Sequence, residues 1–286
     1  MTKISILVPV YNEELSIVET INKIKKILKK INFYSEIIII NDGSTDKTSE
    51  ILEKVSSIKV INNPYNLGYG ASLKKGLSVS SGEWIVITDA DQTYPIEDIP
   101  KLLEFIPQYD MVVGARTGKI VKIPFIRRPA KWFIGKLANF VSGKKIDDIN
   151  SGLRVFRSGK ALEFFNLYPS GFSFTTTITL AFLTNDYTIK YIPINYFKRE
   201  GKSSIKPIKD FIGFTTLIFR IIMNFKPLKF FFFPGFSLFV FGVIYGIYQI
   251  MSLPDGLGDL PPLAILTGIQ IILMGFLAEL IVKKKS

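Results

Sequence analysis

The sequence contains neither cysteine nor histidine, and acidic residues are few relative to basic ones. Its 286 residues include 36 lysines and arginines against 24 aspartates and glutamates, a formal net charge of +12. Without cysteine the chain forms no disulfide, which fits a reducing compartment. Without histidine it lacks the commonest general base of enzymes. Internal repeats and low-complexity tracts are also absent. The length allows one large domain or two smaller ones.

Two stretches near the C-terminus, residues 230–254 and 260–278, contain no Asp, Glu, Lys or Arg. Each is close to the roughly 20 apolar residues that a bilayer-spanning helix requires. We therefore predict a membrane region at 230–286 with two transmembrane helices, at about 231–252 and 261–282. The polar turn between them predicts that the two helices form a hairpin.

The charges that flank these stretches predict their orientation. Lys226 and Lys229 precede the first stretch and three lysines at 283–285 follow the second, whereas the connecting turn holds only acids. By the positive-inside rule, both ends of the chain are expected in the cytoplasm. Residues 1–3 run directly into a core-type strand, so we expect no signal peptide. The expected location is the cell membrane, with the globular part on the cytoplasmic side.

The excess of positive charge lies before the two apolar stretches. Residues 190–229 alone hold nine basic and two acidic residues. Nucleic acid is one partner for such a surface, but no nucleic-acid motif is present. Beside membrane spans, anionic lipid headgroups or a lipid phosphate are better partners. We therefore predict a membrane partner and no nucleic acid. Association of several copies through the hairpin, as a homo-oligomer, stays open.

Residues 1–204 alternate between strand and helix patterns. The nearly continuous apolar run at 36–40 is typical of a strand buried on both faces. A helix is predicted over 14–31, because apolar side chains recur there at steps of three and four. This alternation predicts an α/β fold with a mostly parallel sheet between helices. Further strands are predicted at 4–10, 59–61, 84–88 and 111–114, and further helices near residues 45 and 70.

Residues 205–229 form a separate region between the globular part and the apolar stretches. Pro207 suits the first position of a helix, and the apolar residues from Ile208 to Ile222 fall largely on one face. A helix that packs on a protein core would show the same pattern. Its place just before a membrane span favours an amphipathic helix that lies in the membrane interface.

The predicted strand at 84–88 is followed by two carboxylates, Asp89 and Asp91, with Ala90 between them. Ligands of open α/β sheets bind outside the carboxyl ends of the strands. Two adjacent carboxylates repel each other, and a bound Mg²⁺ or Mn²⁺ removes that conflict while leaving positions for substrate phosphates. A solvated acidic turn is the alternative for such a pair alone. Polar clusters at other strand ends favour the metal site.

Three such clusters occur in predicted loops. They are Pro9-Val10-Tyr11-Asn12-Glu13, Asn41-Asp42-Gly43-Ser44-Thr45-Asp46 and Asn66-Leu67-Gly68-Tyr69-Gly70. Asp42 emerges from a buried strand, where its carboxylate could read a base or a ribose. Gly68 and Gly70 would let backbone approach a ligand closely at the start of a helix.

Taken together, these motifs resemble those of the family 2 glycosyltransferases, which use the nucleotide-sugar-binding fold called GT-A. The resemblance covers roughly residues 3–200, with the motifs in the same order and spacing. It implies a Rossmann-like, mostly parallel sheet in a catalytic domain at 1–204. The nucleoside pocket is then expected to be lined by Pro9, Tyr11, Glu13 and Asp42. The ribose, the diphosphate and the metal are expected to be bound by Asp89, Ala90 and Asp91.

The later part of the chain resembles one subgroup, the polyprenyl-phosphate sugar synthases of the dolichyl-phosphate mannose type. Residues 147–157 look like their acceptor-side Asp…Ser-Gly motif, and residues 199–206 look like the Arg…Gly-x-Ser stretch before their membrane region. The resemblance implies an acceptor-phosphate site, whose candidate residues are Arg116, Arg127, Arg128, Arg199, Ser203 and Lys206. The candidate catalytic residues are Asp89, Asp91, Arg116 and Arg199.

Two comparisons within the family refine this interpretation. Processive polysaccharide synthases carry a Gln-x-x-Arg-Trp motif, and neither Trp84 nor Trp132 follows an arginine, so a polymer-extruding synthase is disfavoured. In the dolichyl-phosphate mannose type the acid pair is often followed by x-Gln-His-Pro. Here Gln92-Thr93-Tyr94-Pro95 follows it, so Gln92 or Thr93 is the candidate third metal contact.

The resemblance implies a membrane-bound, inverting, metal-dependent hexosyltransferase. One sugar would pass from a nucleotide-sugar donor, GDP-mannose or UDP-glucose, to a polyprenyl (dolichyl) phosphate on the cytoplasmic face. Such an acceptor is already an anion, so the transfer tolerates the absence of histidine. Two alternatives stay open. One is a lipid hydroxyl acceptor with Asp147 or Asp148 as the base, and the other is a non-catalytic, membrane-anchored protein that binds nucleotide sugars.

Overall fold

The computed structural model divides into two compact units, Met1–Thr215 and Thr216–Ser286. The residues it describes are 2–121, 135–136, 138–140, 142–171, 173–197, 216, 219, 222–223, 226–252 and 257–285. The first unit holds an α/β sheet with its helices, and the second holds two long helices.

In the described part of the first unit, the strands are β1 (Lys3–Val10), β2 (Tyr34–Asn41), β3 (Lys59–Asn62), β4 (Trp84–Ile87), β5 (Met111–Ala115), β6 (Arg154–Arg157) and β7 (Ile189–Pro193). The helices are α1 (Ile17–Leu28), α2 (Thr48–Glu53), α3 (Tyr69–Val79), α4 (Ile99–Leu103), α5 (Ser158–Leu162) and α6 (Phe174–Thr184). Two short 3₁₀ turns lie at Ile96–Asp98 and Phe165–Leu167.

The strands form one sheet in the order β3-β2-β1-β4-β6-β5-β7. β1 pairs in parallel with β2 on one side and with β4 on the other, and β2 pairs in parallel with β3. β6 runs antiparallel to both β4 and β5, and β5 pairs in parallel with β7. The sheet is therefore mostly parallel, as predicted. The strand order reverses at β1, and such a switch point is where ligands of open α/β sheets bind.

The core of this unit lies between the sheet and helices such as α1. Ile17, Ile21 and Ile24 of α1 are each at most 1% exposed, which is the face that the helical period predicted. The helix is shorter than the predicted 14–31. It begins at Ile17 because the carbonyl of Glu13 already accepts hydrogen bonds from the amides of Ser16 and Ile17 in a preceding turn.

Five described elements of the first unit have no counterpart among the sequence predictions: the short helices α4 and α5, and the elements β6, β7 and α6. All eleven residues of α6 are buried, so the helix shows no alternation between an apolar and a polar face. Five of them are threonines, which favour strands by propensity. β6 begins and ends with arginine, so its short apolar centre does not give a recognisable strand pattern. Burial by the rest of the fold decided these elements, since their local patterns are ambiguous.

The second unit contains α7 (Pro227–Ser252) and α8 (Leu260–Lys285). The two helices approach closely at Gly235, where an added Cβ would lie 2.8 Å from the carbonyl oxygen of Gly268. In the apolar 18-residue stretch of each helix, only 17% (α7) and 11% (α8) is buried. Both are long and apolar enough to cross a membrane. Most of the predicted amphipathic helix at 205–229 lies outside the described residues, and the predicted domain bounds stay predictions.

Candidate active site at the carboxyl edge of the sheet

The carboxyl ends of β1, β2 and β4 lie side by side in the sheet. Val10 pairs with Asn41 in parallel register, and β4 pairs with β1 on its other side. The residues that follow these strands, among them Tyr11, Asp42 and Asp89, therefore emerge at one edge. This edge contains the switch point of the sheet, so the folded chain brings three of the predicted motifs together where a ligand is expected.

The loops after β1 and β2 are joined by hydrogen bonds. Oδ1 of Asn12 accepts from the amide of Thr45 at 2.8 Å, and the amide of Asn12 donates to Oγ of Ser44 at 3.0 Å. Asn12 adopts a φ of 55°, which asparagine tolerates better than most residues. A cleft of about 510 Å³ lies beside these loops, and Tyr11 is among its lining residues.

The other residues expected in the nucleoside pocket differ in accessibility. Pro9 is a buried residue of β1 opposite Ile40. Glu13 is half-buried, and its Oε2 accepts a hydrogen bond from Oγ of Ser16 at 2.9 Å. Tyr11 and Glu13 are therefore the members of this set whose side chains reach the surface of the edge.

Asp42 is 3% exposed, and its carboxylate binds the protein itself. Oδ1 accepts from Nδ2 of Asn63 at 2.7 Å and from the amide of Leu67 at 3.0 Å. Oδ2 accepts from the amide of Gly68 at 2.9 Å. Asp42 therefore organises the loop between β3 and α3. Its partners lie 21 to 26 residues further along the chain, so no local sequence pattern predicts these hydrogen bonds.

Gly68 and Gly70 were expected to let a ligand approach the start of α3 closely. In the structure, backbone of the same chain occupies that space. The amide of Gly70 donates to the carbonyl of Gly171 at 3.1 Å, and that of Ala71 donates to Ser170 at 2.9 Å. A Cβ on Gly70 would lie 2.1 Å from the carbonyl oxygen of Pro169. The expectation of a ligand there was wrong, because these amides of the first turn already have acceptors.

Asp89 lies half-buried just after β4, between two neighbours. Its Oδ1 accepts a hydrogen bond from the hydroxyl of Tyr69 at 3.0 Å, and a Cβ on Gly152 would lie 2.8 Å from its Oδ2. The amide of Gly152 donates to the hydroxyl of Tyr94 at 2.7 Å. Burial, and then the charge of Asp89, raise the pKa of Tyr69 well above its ordinary value of 10.0.

Asp91 is 9% exposed and lies beside Thr93. Its Oδ1 accepts from Oγ1 of Thr93 at 2.6 Å and from the amide of Thr93 at 3.2 Å. Gln92 adopts a φ of 57° and turns its side chain toward α1, where Nε2 donates to Oε2 of Glu19 at 2.7 Å. Of the two candidates for a third metal contact, Thr93 is therefore the one next to the acid pair.

This set of donor atoms suits some metals better than others. Among the described residues, no group of three or more His, Cys, Asp or Glu side chains is placed to hold a metal. Two carboxylates and a hydroxyl are too few for an all-protein cage. They fit Mg²⁺ or Mn²⁺, which bind through one or two carboxylates and complete their shell with substrate phosphates and water.

Arg116 follows β5 and forms an ion pair with Asp148. Its Nε and Nη2 lie 2.7 Å and 2.8 Å from the two carboxylate oxygens, and the two side chains are 12% and 0% exposed. The guanidinium also lies 5.2 Å from the ring centre of Tyr196. This buried pairing argues against Asp148 as a base. Asp147 is 40% exposed, with Lys145 at 3.5 Å.

A second buried guanidinium, that of Arg154, belongs to the acceptor-type motif. Nε donates to the carbonyl of Ser151 at 3.0 Å, and Nη1 donates to the carbonyl of Thr175 and the hydroxyl of Thr179 at 3.1 Å and 2.9 Å. Nη2 donates to the carbonyls of Ile149 and Ser151. The N–H groups of Arg154 thus bind uncharged acceptors, which include the sulfur of Met111, and they connect this motif to α6. Burial lowers the pKa of Arg154 below its ordinary value.

Several predicted residues cannot be compared with this geometry. The acceptor-phosphate candidates outside the described residues are Arg127, Arg128, Arg199, Ser203 and Lys206. Conversely, the structure brings Tyr69, Tyr94 and Arg154 to the site, and none of the three is among the site residues predicted from the sequence. Each lies inside a motif quoted above, and that membership was the available signal.

A mostly parallel sheet with paired carboxylates at its switch point defines an open α/β protein whose ligand site is expected at that edge. Residues 5–165 match the family described as "Glycosyl transferase family 2". Residues 226–283 match the "GtrB C-terminal hairpin". Because the first match covers more than half of the 286 residues, the chain belongs to glycosyl transferase family 2. The resemblance inferred from the motifs is confirmed.

Two relatives come from Haloferax volcanii. The chain is 32% identical over 249 residues to the "Low-salt glycan biosynthesis hexosyltransferase Agl6", a match that covers 84% of this chain and 58% of that protein. It is 29% identical over 206 residues to a "Dolichyl-phosphate hexose transferase", with 71% and 87% covered. The chain therefore spans less than two thirds of the first relative and most of the second.

A solved structure supports the fold. Glucosyl-3-phosphoglycerate synthase from Mycobacterium tuberculosis, in complex with Mn²⁺, UDP-glucose and phosphoglyceric acid, gives a TM-score of 0.57 at 18% identity. The match covers 78% of each chain. It confirms the predicted fold class, a mostly parallel GT-A type sheet. This chain also has two apolar C-terminal helices.

Proposed function

We propose that this protein is a membrane-bound glycosyltransferase that moves one sugar from a nucleotide-diphosphate sugar to a polyprenyl phosphate. The observation that carries this proposal is the pair Asp89 and Asp91 at the switch point of the sheet, in a chain that also has two helices able to cross a bilayer. The relative named for dolichyl-phosphate hexose transfer supports the acceptor class. Lysines at both ends of the hairpin support a cytoplasmic site.

On the donor side, Asp89, Asp91 and Thr93 would hold Mg²⁺ or Mn²⁺. When bound, such an ion offsets the charge that develops on the leaving diphosphate. Thr93 orients Asp91 through its 2.6 Å hydrogen bond. Tyr11 and Glu13 would bind the nucleoside, together with the hydrogen-bonded loops after β1 and β2. The donor would be GDP-mannose or UDP-glucose.

On the acceptor side, the chain's task is to hold an anion near the anomeric carbon. A phosphate oxygen is already ionised, so it attacks without a dedicated base. Arg116 keeps N–H donors beyond the two that bind Asp148, because a guanidinium has five. At 12% exposure, its charge is screened less than that of a surface arginine. The five acceptor candidates outside the described residues would complete the phosphate site.

A transfer to a lipid hydroxyl is the second candidate function. It is favoured by one observation, the 40% exposure of Asp147, which leaves that carboxylate accessible as a base. Asp148 does not share this property, because it is buried against Arg116. The two functions differ in whether the acceptor must carry a phosphate.

The test uses the purified full chain in detergent with Mn²⁺. Labelled GDP-mannose and UDP-glucose are offered with a polyprenyl phosphate or with the matching polyprenol, and label in the organic phase is measured. We expect label to enter the lipid phase with the phosphate only. Transfer to the polyprenol alone would favour the second function. No binding and no turnover of any nucleotide sugar would overturn both and leave a non-catalytic membrane protein.

A further inference from the structure

Hydrogen bonds link two carboxylates that the sequence assigned to separate tasks. Asp42, at the end of β2, accepts from the amides of Leu67 and Gly68. Tyr69 is the next residue, and its hydroxyl donates to Oδ1 of Asp89 at 3.0 Å. The carboxylate after β2 therefore holds the segment 67–69, which in turn contacts the carboxylate after β4.

The position of Tyr69 is also set from the other side. Gly68 adopts a φ of 102°, a backbone conformation open mainly to glycine. A Cβ there would lie 2.6 Å from the carbonyl oxygen of Ser170. Gly70 donates its amide to Gly171 at 3.1 Å. The two glycines thus dock the start of α3 against residues 169–171 and leave Tyr69 between them at a fixed point.

The side of Asp89 opposite Tyr69 is limited by Gly152. A Cβ on Gly152 would lie 2.8 Å from Oδ2 of Asp89 and 3.0 Å from Cε2 of Tyr94. The carboxylate therefore has a hydroxyl at one oxygen and a close backbone neighbour at the other. Such supports hold a ligating carboxylate in one orientation, and outer partners of this kind are worth about 10- to 100-fold in metal affinity.

We propose that Tyr69 is a positioning residue for Asp89, and that Asp42 acts on Asp89 through the segment 67–69. The inference rests on the proposed function, in which Asp89 engages the donor diphosphate together with a metal. The task of Gly68 and Gly70 follows from it, since they place the tyrosine and contact no phosphate.

Tyr69→Phe tests the first part, because it removes only the hydroxyl. Binding of GDP and UDP is measured by calorimetry with and without Mn²⁺, next to kcat and KM for the donor. We expect Mn²⁺-dependent binding to weaken roughly tenfold, as for the loss of a hydrogen bond to a charged group, and kcat to fall. Binding without Mn²⁺ should not change, which a general structural defect would not produce.

The matched control is Tyr168→Phe. The Tyr168 hydroxyl is also buried, and it donates to the carbonyl of Ala161 at 2.6 Å, away from the acid pair. This variant should bind Mn²⁺ and nucleotide as the wild type does. Wild-type affinity in Tyr69→Phe, or an equal loss with and without Mn²⁺, would overturn the positioning role.

A double-variant cycle tests the second part. Asp42→Asn replaces an acceptor with a donor facing the loop amides, so it should weaken Mn²⁺-dependent binding in the same direction. If Asp42 acts through Tyr69, the double variant with Tyr69→Phe loses no more than the worse single variant. Additive losses would show that Asp42 acts independently of Tyr69 and would overturn this part.

Folding of each variant is checked by its unfolding temperature. If Asp42→Asn does not fold, Asn63→Ala gives the same cycle, since Nδ2 of Asn63 donates to Oδ1 of Asp42. A wild type that binds no nucleotide would refute the proposed function. A wild type that binds, with Tyr69→Phe unchanged, would refute this inference alone.

Discussion

At the carboxyl edge of the sheet, the central carboxylates are oriented by hydrogen bonds, whereas the helices α7 and α8 of the hairpin fit together mainly by shape. Asp42 accepts three such bonds, and Asp91 accepts two from Thr93. In the hairpin, Gly235 and Gly268 permit backbone contact. The site therefore depends on orientation of charge, and the hairpin depends on small volume. Changes in one region should leave the other largely intact.

The largest expected effect separates the two regions at the acid pair. Asp91→Asn removes the charge that would hold the metal, worth several kcal/mol of transition-state stabilisation, so transfer should fall by roughly a thousandfold. Labelled sugar transfer at saturating Mn²⁺ measures this. The hairpin should keep its stability in detergent. Retained activity would refute the metal role of Asp91.

The next effect concerns the buried pair of Arg116 and Asp148. Arg116→Met removes the guanidinium that binds the carboxylate of Asp148, 0% exposed, and we expect a loss of about 3–5 kcal/mol in the free energy of unfolding. Denaturant unfolding followed by tryptophan fluorescence measures it. The double variant with Asp148→Leu should recover part of the loss, and a double variant less stable than Arg116→Met would contradict the pairing.

A change in the hairpin should destabilise the hairpin and leave the site at the sheet edge unaffected. Gly268→Leu places a side chain where even a Cβ would lie 2.7 Å from the carbonyl oxygen of Gly235, so the hairpin should lose about 1–3 kcal/mol by overpacking. Nucleotide binding should not change. Unfolding in a titration with dodecyl sulfate measures the loss. The control is Met274→Leu in the same helix, because Met274 is 57% exposed.

The smallest effect is a pH dependence away from both regions. Hydrogen bonds from Lys160 and Thr188 outweigh burial and lower the pKa of Asp110 below its ordinary 3.8. The ionised form is thus favoured by folding, so this stabilisation is complete above pH 3.8 and is lost as the pH falls through the lower, folded value. Asp110→Asn should flatten the acid limb of unfolding by less than about 1 kcal/mol. An unchanged limb would refute the contribution.

The parts of the fold that could be predicted are those with a local signal. The apolar run of β2 and the three-and-four spacing in α1 identify buried elements without knowledge of their neighbours. Asp89 and Asp91 could be placed because a carboxyl strand end is a general ligand position. The two apolar helices follow from length and composition alone.

The parts that could not be predicted depend on distant residues. β6 runs antiparallel between β4 and β5, although nothing in its four residues reports its neighbours. Arg116 forms an ion pair with Asp148, which lies 32 positions later in the sequence. The glycines before and after Tyr69 suggested a ligand loop, but they contact residues 169–171, a hundred positions later in the chain.

The amino-acid sequence by itself determined the class of fold, the acid pair and the membrane-type helices, because each arises from the periodicity or composition of neighbouring residues. Only the tertiary structure decided which groups hold these carboxylates. A hydrogen bond requires its donor and acceptor within about 3 Å, and the path of the whole chain sets that distance. Asp42 shows the difference, since its motif suggests a nucleoside ligand while its three bonds organise the loop that leads to Tyr69.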